Sequence, residues 1–121
     1  MKDSIKVVFC RPGKTATIED IGSDLKSMQR AVDGLIQPIR PFHDARDPRL
    51  KDVVLVCNEE GKLGGYKPCR LLMWPDGRTA DIIFGDFFLC YAQGEALSSL
   101  PDDLLQRFRS KFFYPEAIVG A

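Results

Sequence analysis

The chain has 121 residues, 45% hydrophobic and 28% charged, and its 17 basic residues balance 17 acidic ones. That length suits a single domain over residues 1–121 with a core of its own. A formal net charge of zero argues against a general nucleic-acid binder, which draws affinity from an excess of Lys and Arg, and it leaves so little repulsion between copies that a homo-oligomer is permitted.

No apolar run approaches the roughly 20 residues of a membrane span. Met1-Lys2-Asp3-Ser4 leads into a strand-like stretch rather than the apolar core of a signal peptide. The expectation is a cytoplasmic protein with no membrane partner, in which Cys10, Cys57, Cys69 and Cys90 are reduced, buried thiols.

In chain order, Ile5 to Cys10 is rich in β-branched and aromatic residues and predicts a strand. Arg11-Pro12-Gly13-Lys14 places Pro and Gly where a type II turn wants them. Thr15 to Ile21 then predicts the second strand of a hairpin. A helix over about 23–33 follows, with Ser23 as its cap and Asp24 at the positive end of its dipole. Leu25, Met28, Val32 and Leu35 form its apolar stripe, and Gly34 is placed to end it in a left-handed conformation.

Residues 35–42 predict a short strand that Pro38 and Pro41 confine to a sheet edge. The run "HDARDPRLKD", residues 43–52, predicts a solvated connector. Val53 to Cys57 is a buried strand, and Asn58-Glu59-Glu60-Gly61 has the residues of a type I turn in a bulged hairpin, with Gly61 supplying the positive φ. Leu71 to Trp74, then Pro75-Asp76-Gly77, then Arg78 onward predict another hairpin. Ile82 to Tyr91 is the most apolar segment, broken by a bulge or bend at Gly85-Asp86. A second helix over about 100–113 carries Leu104, Leu105, Phe108 and Phe112 on its apolar face, opened by a Ser99/Asp102 capping box. The fold class is therefore α+β, with two helices packed on a mostly antiparallel sheet of about five to seven strands built from hairpins.

Catalytic motifs are scarce. His43 is the only histidine, so any Ser-His or Cys-His nucleophile would depend on it, in a stretch with no nucleophile elbow. Cys57 and Cys69 lack the paired spacing of a zinc knuckle, and no metal or cofactor is expected. No Gly-rich phosphate loop or dinucleotide fingerprint is present. Acid–base chemistry stays open through Glu59, Glu60, Asp81 and Asp86. The densest polar cluster lies in "VVLVCNEEGKLGGYKPCR", residues 53–70. Turn chemistry explains Asn58 and Gly61. Glu59, Glu60, Lys62, Tyr66 and Arg70 gather near Gly64-Gly65 and, with Asn58, form a candidate ligand-binding loop.

The segments "TIEDI", "DLKSMQRAVDG", "IQPI", "VVLVCNEEGKL", "DIIFGDFFLC" and "LPDDLLQRF" together resemble a domain-of-unknown-function family typical of bacteriophages, plasmids and integrated elements of Gram-positive bacteria. The resemblance covers roughly residues 4–113 and is most specific in "NEEGKL". Cys69 stands where the family leads one to expect Asn, and the charged connector at 43–52 is longer. The resemblance implies a small non-enzymatic binding protein of a mobile element, acting in counter-defence. It would sequester a small charged ligand such as a signalling nucleotide, met by Arg70, Lys62 and Tyr66, or inhibit a host protein. The alternatives are a small enzyme using Glu/Asp acid–base chemistry and a protein-interaction module that offers an edge strand near residues 36–42.

Overall fold

The computed structural model describes residues 3–43, 45–73, 79–115 and 118–120. Its strands are β1 (Ser4–Cys10), β2 (Thr17–Gly22), β3 (Ile36–Ile39), β4 (Val53–Asn58), β5 (Pro68–Met73), β6 (Thr79–Phe84), β7 (Phe87–Gln93), β8 (Ala96–Ser98) and β9 (Ile118–Gly120). Helix α1 (Leu25–Val32) falls between β2 and β3, and α2 (Asp102–Lys111) between β8 and β9. The fold is α+β, but the strands divide between two sheets. Six form an antiparallel sheet in the order β2-β1-β7-β4-β3, with β8 folded back on the end of β7. The other three run β6-β5-β9, with β9 parallel to β5.

Alternation along the central strands dictates the layers. Side chains of successive strand residues point to opposite faces. Val7, Phe9, Val54, Val56, Phe88 and Cys90 thus meet Met28 and Val32 of α1 on one face. Val8, Cys10, Val53, Leu55, Phe87 and Leu89 meet Leu104, Leu105, Phe108 and Phe112 of α2, together with Cys69, Leu72 and Ile83 of the small sheet. A sheet covered on both faces needs apolar residues at every position, which is why β4 and the start of β7 read as unbroken apolar runs. All four cysteines are free and buried, and burial pushes the Cys10, Cys69 and Cys90 thiols up to about 12 and Cys57 up to about 11.

The first hairpin matches expectation. Gly13 has φ +72° and the Lys14 amide donates to the Arg11 carbonyl at 3.1 Å, as a type II turn requires. β3 is an edge strand, also as expected. The Glu59 amide donates to the Leu35 carbonyl, so paired residues at 37 and 39 face β4 in the same way and Pro38 lies between them, its nitrogen turned to the open edge.

Several local expectations are corrected. Asp24, not Ser23, caps α1, its carboxylate accepting from the Ser27 amide at 3.1 Å, while the Ser23 amide donates to the Asp3 carbonyl. The left-handed residue that ends α1 is Asp33, at φ 61°, rather than Gly34. Gly34 is required for a different reason: a Cβ there would stand 2.6 Å from Asn58 Nδ2. Leu25 and Leu35 of the expected stripe are exposed, and only Met28 and Val32 are buried. Ser99 does not cap α2. Its hydroxyl accepts from the Lys6 amide at 2.8 Å, and α2 has no side-chain cap, although Asp102 and Asp103 complement its dipole. The charged connector contains a 3-10 helix (Pro48–Asp52) that buries Leu50 and is clamped to α2 by a bidentate Arg49–Asp103 pair at 2.7 and 2.8 Å. The turn expected at Trp74-Pro75-Asp76-Gly77 lies outside the described residues.

The largest correction concerns hairpins. β4 and β5 are not partners, because β4 lies in the large sheet and β5 in the small one. Asn58 to Lys67 is therefore a crossing between sheets. Gly85, at φ +81°, makes the return crossing from β6 to β7, and its amide donates to the Lys67 carbonyl at 2.8 Å. Phe108 sits at the centre of the α2 layer, 5.2 Å from the Phe42 ring and 6.4 Å from the Phe112 ring. Phe108→Ala is expected to cost about 3–5 kcal/mol of unfolding free energy by leaving a cavity there, measured by urea denaturation followed by tryptophan fluorescence.

Candidate functional site

The two crossings lie together and open a groove of about 360 Å³ at the seam between the sheets. Its floor comes from Gln37 of β3 and Cys57 of β4, its wall from Asp81 and Ile82 of β6, and its end from the turn carrying Glu59 to Leu63. Of these strands, β3 and β6 are outermost in their sheets among the described residues.

The turn is built locally. The Gly61 amide donates to the Asn58 carbonyl at 3.2 Å, which closes a type I-like turn. Gly61 does not have a positive φ. A Cβ on it would stand 2.8 Å from the Phe84 carbonyl oxygen, so glycine is needed for close approach to β6. Lys62 Nζ pairs with Asp81 Oδ1 at 2.5 Å, and the same oxygen accepts from the Ile82 amide at 2.8 Å. These contacts fasten the turn along β6.

The six candidate residues separate. Glu59, Glu60 and Lys62 line the groove. Asn58 touches it too, but its side chain is 7% exposed and committed. Nδ2 donates to the carbonyls of Val32 and Asp33, and Oδ1 accepts from the Glu60 amide. Asn58 thereby caps the C-terminus of α1, whose last carbonyls lack helical partners. Tyr66 lies behind the turn. Its hydroxyl donates to the Asp33 carboxylate at 3.0 Å, and that bond holds the phenol above its ordinary acidity range.

Arg70 is not at the groove. It is 2% exposed. Nε donates to the Phe112 carbonyl at 2.9 Å, one terminal nitrogen to Lys14 at 2.7 Å, and the other to Cys69 at 2.8 Å and Arg11 at 3.4 Å. Its acceptors are main-chain carbonyls of the first hairpin turn, of β5 and of the end of α2. This residue fastens parts of the fold and is closed to a ligand.

Around the groove lie features that motif reasoning missed. Leu63 is 92% exposed, Ile82 40% and Leu35, beside Glu59 in the register, 58%. Two of the five large hydrophobic residues exposed among the described ones thus line this groove, and a third, Leu35, is paired with Glu59 beside it. The signal in the sequence was Leu63 itself, a lone aliphatic residue within a polar turn. Electrostatically, the carboxylates of Glu59, Glu60 and Asp81 outnumber the Lys62 ammonium, and no described residue pairs with Glu59 or Glu60.

A second polar cluster forms at the end of the α1 face. Arg11 lies 4.0 Å from the centre of the Phe9 ring and forks onto Glu19 at 2.6 and 3.0 Å. Arg11 holds the Glu19 carboxyl below its usual range, burial opposes that shift, and Thr17 adds to it. Nearby, burial raises the Asp86 carboxyl. Arg11 opposes the rise, while Asp33 and then Glu19 reinforce it. Among the described residues no His/Cys/Asp/Glu group has the makings of a metal site, and no helix is long and apolar enough to cross a membrane.

Over residues 5–113 the chain matches the family described as Domain of unknown function (DUF3846), and it belongs to that family. The match includes both crossings and ends before β9. No curated protein and no solved structure matches the chain.

Arg70→Leu takes this donor from the carbonyls of Phe112, Cys69 and Lys14, while the Arg11 carbonyl keeps the Lys14 amide. At roughly 1–3 kcal/mol for each one left buried and unpaired, the substitution is expected to lower unfolding free energy by about 3 kcal/mol or more. Arg70→Lys recovers little, since an ammonium lacks the planar fork. Urea denaturation of both variants checks this, with intact stability of Arg70→Leu contradicting it. For Asp86, a carboxyl raised in the folded state makes folding bind protons, so stability falls as pH rises from its unfolded value of 3.8 through the folded one. Asp86→Asn removes that loss. Its melting temperature should exceed that of the parent at pH 7, with the gap narrowing at pH 3.5.

Proposed function

We propose that this member of the Domain of unknown function (DUF3846) family is a small non-enzymatic binding protein of a phage or other mobile element, and that it acts by docking onto a host protein through the groove at the sheet seam. One observation carries this: Leu63 and Ile82 are exposed together in the lining of a groove whose floor and wall are held by two sheets, and exposed Leu35 stands beside Glu59 at its end. Isolated exposed aliphatics need no explanation, but a rimmed apolar patch marks an interaction surface.

Sequestration of a signalling nucleotide fits the same site less well. The cations and ring expected to meet an anion are committed elsewhere: Arg70 to buried carbonyls, Lys62 to Asp81 and Tyr66 to Asp33. The remaining charges of the groove repel phosphate. Acid–base catalysis would fall to Asp86 on the α1 face, where Glu19 is already paired with Arg11. Strand addition at β3 is weakened by Pro38, which removes a donor from the open edge.

A photo-crosslinking residue at position 63, with position 25 on α1 as the control, tests this in cells of a bacterial host. A discrete adduct from position 63 is expected, absent from position 25 and lost on adding Ile82→Glu. Equal labelling from both positions would sink the docking proposal. A rise in melting temperature with nucleotides or cyclic dinucleotides would restore sequestration.

A further inference from the structure

The charge balance of the groove says which partner chemistry it takes, and here we build on the docking proposed above. We infer that the occupant is a basic segment of a partner protein, with Lys or Arg side chains beside aliphatic ones. Glu59 and Glu60 lie side by side on the exposed turn at the groove's end, and neither carboxylate has a hydrogen-bonding or ionic partner among the described residues. Asp81 in the opposite wall is shared between Lys62 and the Ile82 amide. Three carboxylates against one ammonium give the groove a net negative field, although the whole chain is neutral.

The apolar part is complementary to the stems of long basic side chains. A Lys or Arg can lay its methylenes along Leu63 and Ile82 while its charged end reaches Glu59 or Glu60. An acidic or phosphorylated segment would bring like charges together, and a purely apolar one would leave both glutamates desolvated without partners. Lys62 is not a competitor for them, because it is drawn to Asp81 at the β6 wall. The Lys62–Asp81 pair thus keeps the turn on β6 and leaves Glu59 and Glu60 facing outward.

Fluorescein-labelled hexapeptides of alternating Leu and Lys, alternating Leu and Glu, and alternating Leu and Ser serve as probes, titrated by anisotropy and by amide chemical-shift mapping. The Leu/Lys peptide should bind at least tenfold more tightly than either other peptide, weaken as salt rises from 50 to 300 mM, and shift amides around 37, 57–63 and 81–83. Glu59→Lys/Glu60→Lys should weaken it tenfold or more without changing the melting temperature, because both side chains are exposed. Equal binding of the three peptides, shifts scattered over other faces, or binding unaltered in the double variant would overturn the inference. An adduct from position 63 that persists in the double variant would leave docking standing and remove the basic partner. An adduct of twice the protein's mass would assign the groove to a second copy of the chain instead.

Discussion

The fold turns on one buried guanidinium. Arg70 projects from β5 into the space where the first hairpin turn, the end of α2 and the small sheet converge, and it donates to carbonyls from all three. Burying a cation costs several kcal/mol, and hydrogen bonds from a charged donor return about 1.5–3 kcal/mol each. The two sides offset each other in large part, and losing Arg70 is costly because its acceptors are then left buried without a donor. Arg70 also adds specificity. Four acceptors in fixed directions are satisfied together by one planar fork, in one arrangement of the small sheet against the large one, and any other docking orphans some of them.

That constraint reaches the groove through the backbone. β5 is held by Arg70, β6 pairs with β5 and forms the groove's wall, and Gly61 lets the 58–61 turn approach the Phe84 carbonyl closely. From the other side, Asn58 and Tyr66 tie the crossing to the end of α1 through the main chain and side chain of Asp33. Asp33 holds a left-handed conformation that costs a non-glycine residue about 1 kcal/mol or more, and these bonds offset that cost. Asn58, Tyr66 and Arg70 thus belong to the site as its supports.

The regular elements were legible wherever a rule acts over a few residues. Alternation and apolar runs placed β1, β4 and β7, Pro38 placed β3 at an edge, and Pro12-Gly13 gave the turn type. What escaped was set by distant partners. Asn58-Glu59-Glu60-Gly61 has the residues of a hairpin turn, and nothing within four residues tells a hairpin from a crossing to another sheet. Gly61 and Gly34 are glycines because of Phe84 and Asn58, far away in sequence. Ser23 and Ser99 had the chemistry of caps but were drawn to Asp3 and β1. The short strands β8 and β9 carry too few residues for a period to show. Arg70 resembled a ligand contact because Arg is seldom fully buried, and only its hydrogen-bond partners reveal the other role.

The same logic explains why the turn retains groups that the fold does not use. Gly61, Asn58 and Lys62 are each accounted for by a contact with β6 or α1. The side chains of Glu59, Glu60 and Leu63 are not: they make no described hydrogen bond or ion pair, and Leu63 exposes an aliphatic side chain to water. A fold that spends a buried arginine, a strained aspartate and two obligatory glycines to hold this turn in place presents these three side chains at its tip. A turn serving only to connect two sheets would need the anchors and not the tip. Anchors and tip together support the proposed reading of this turn as a docking surface.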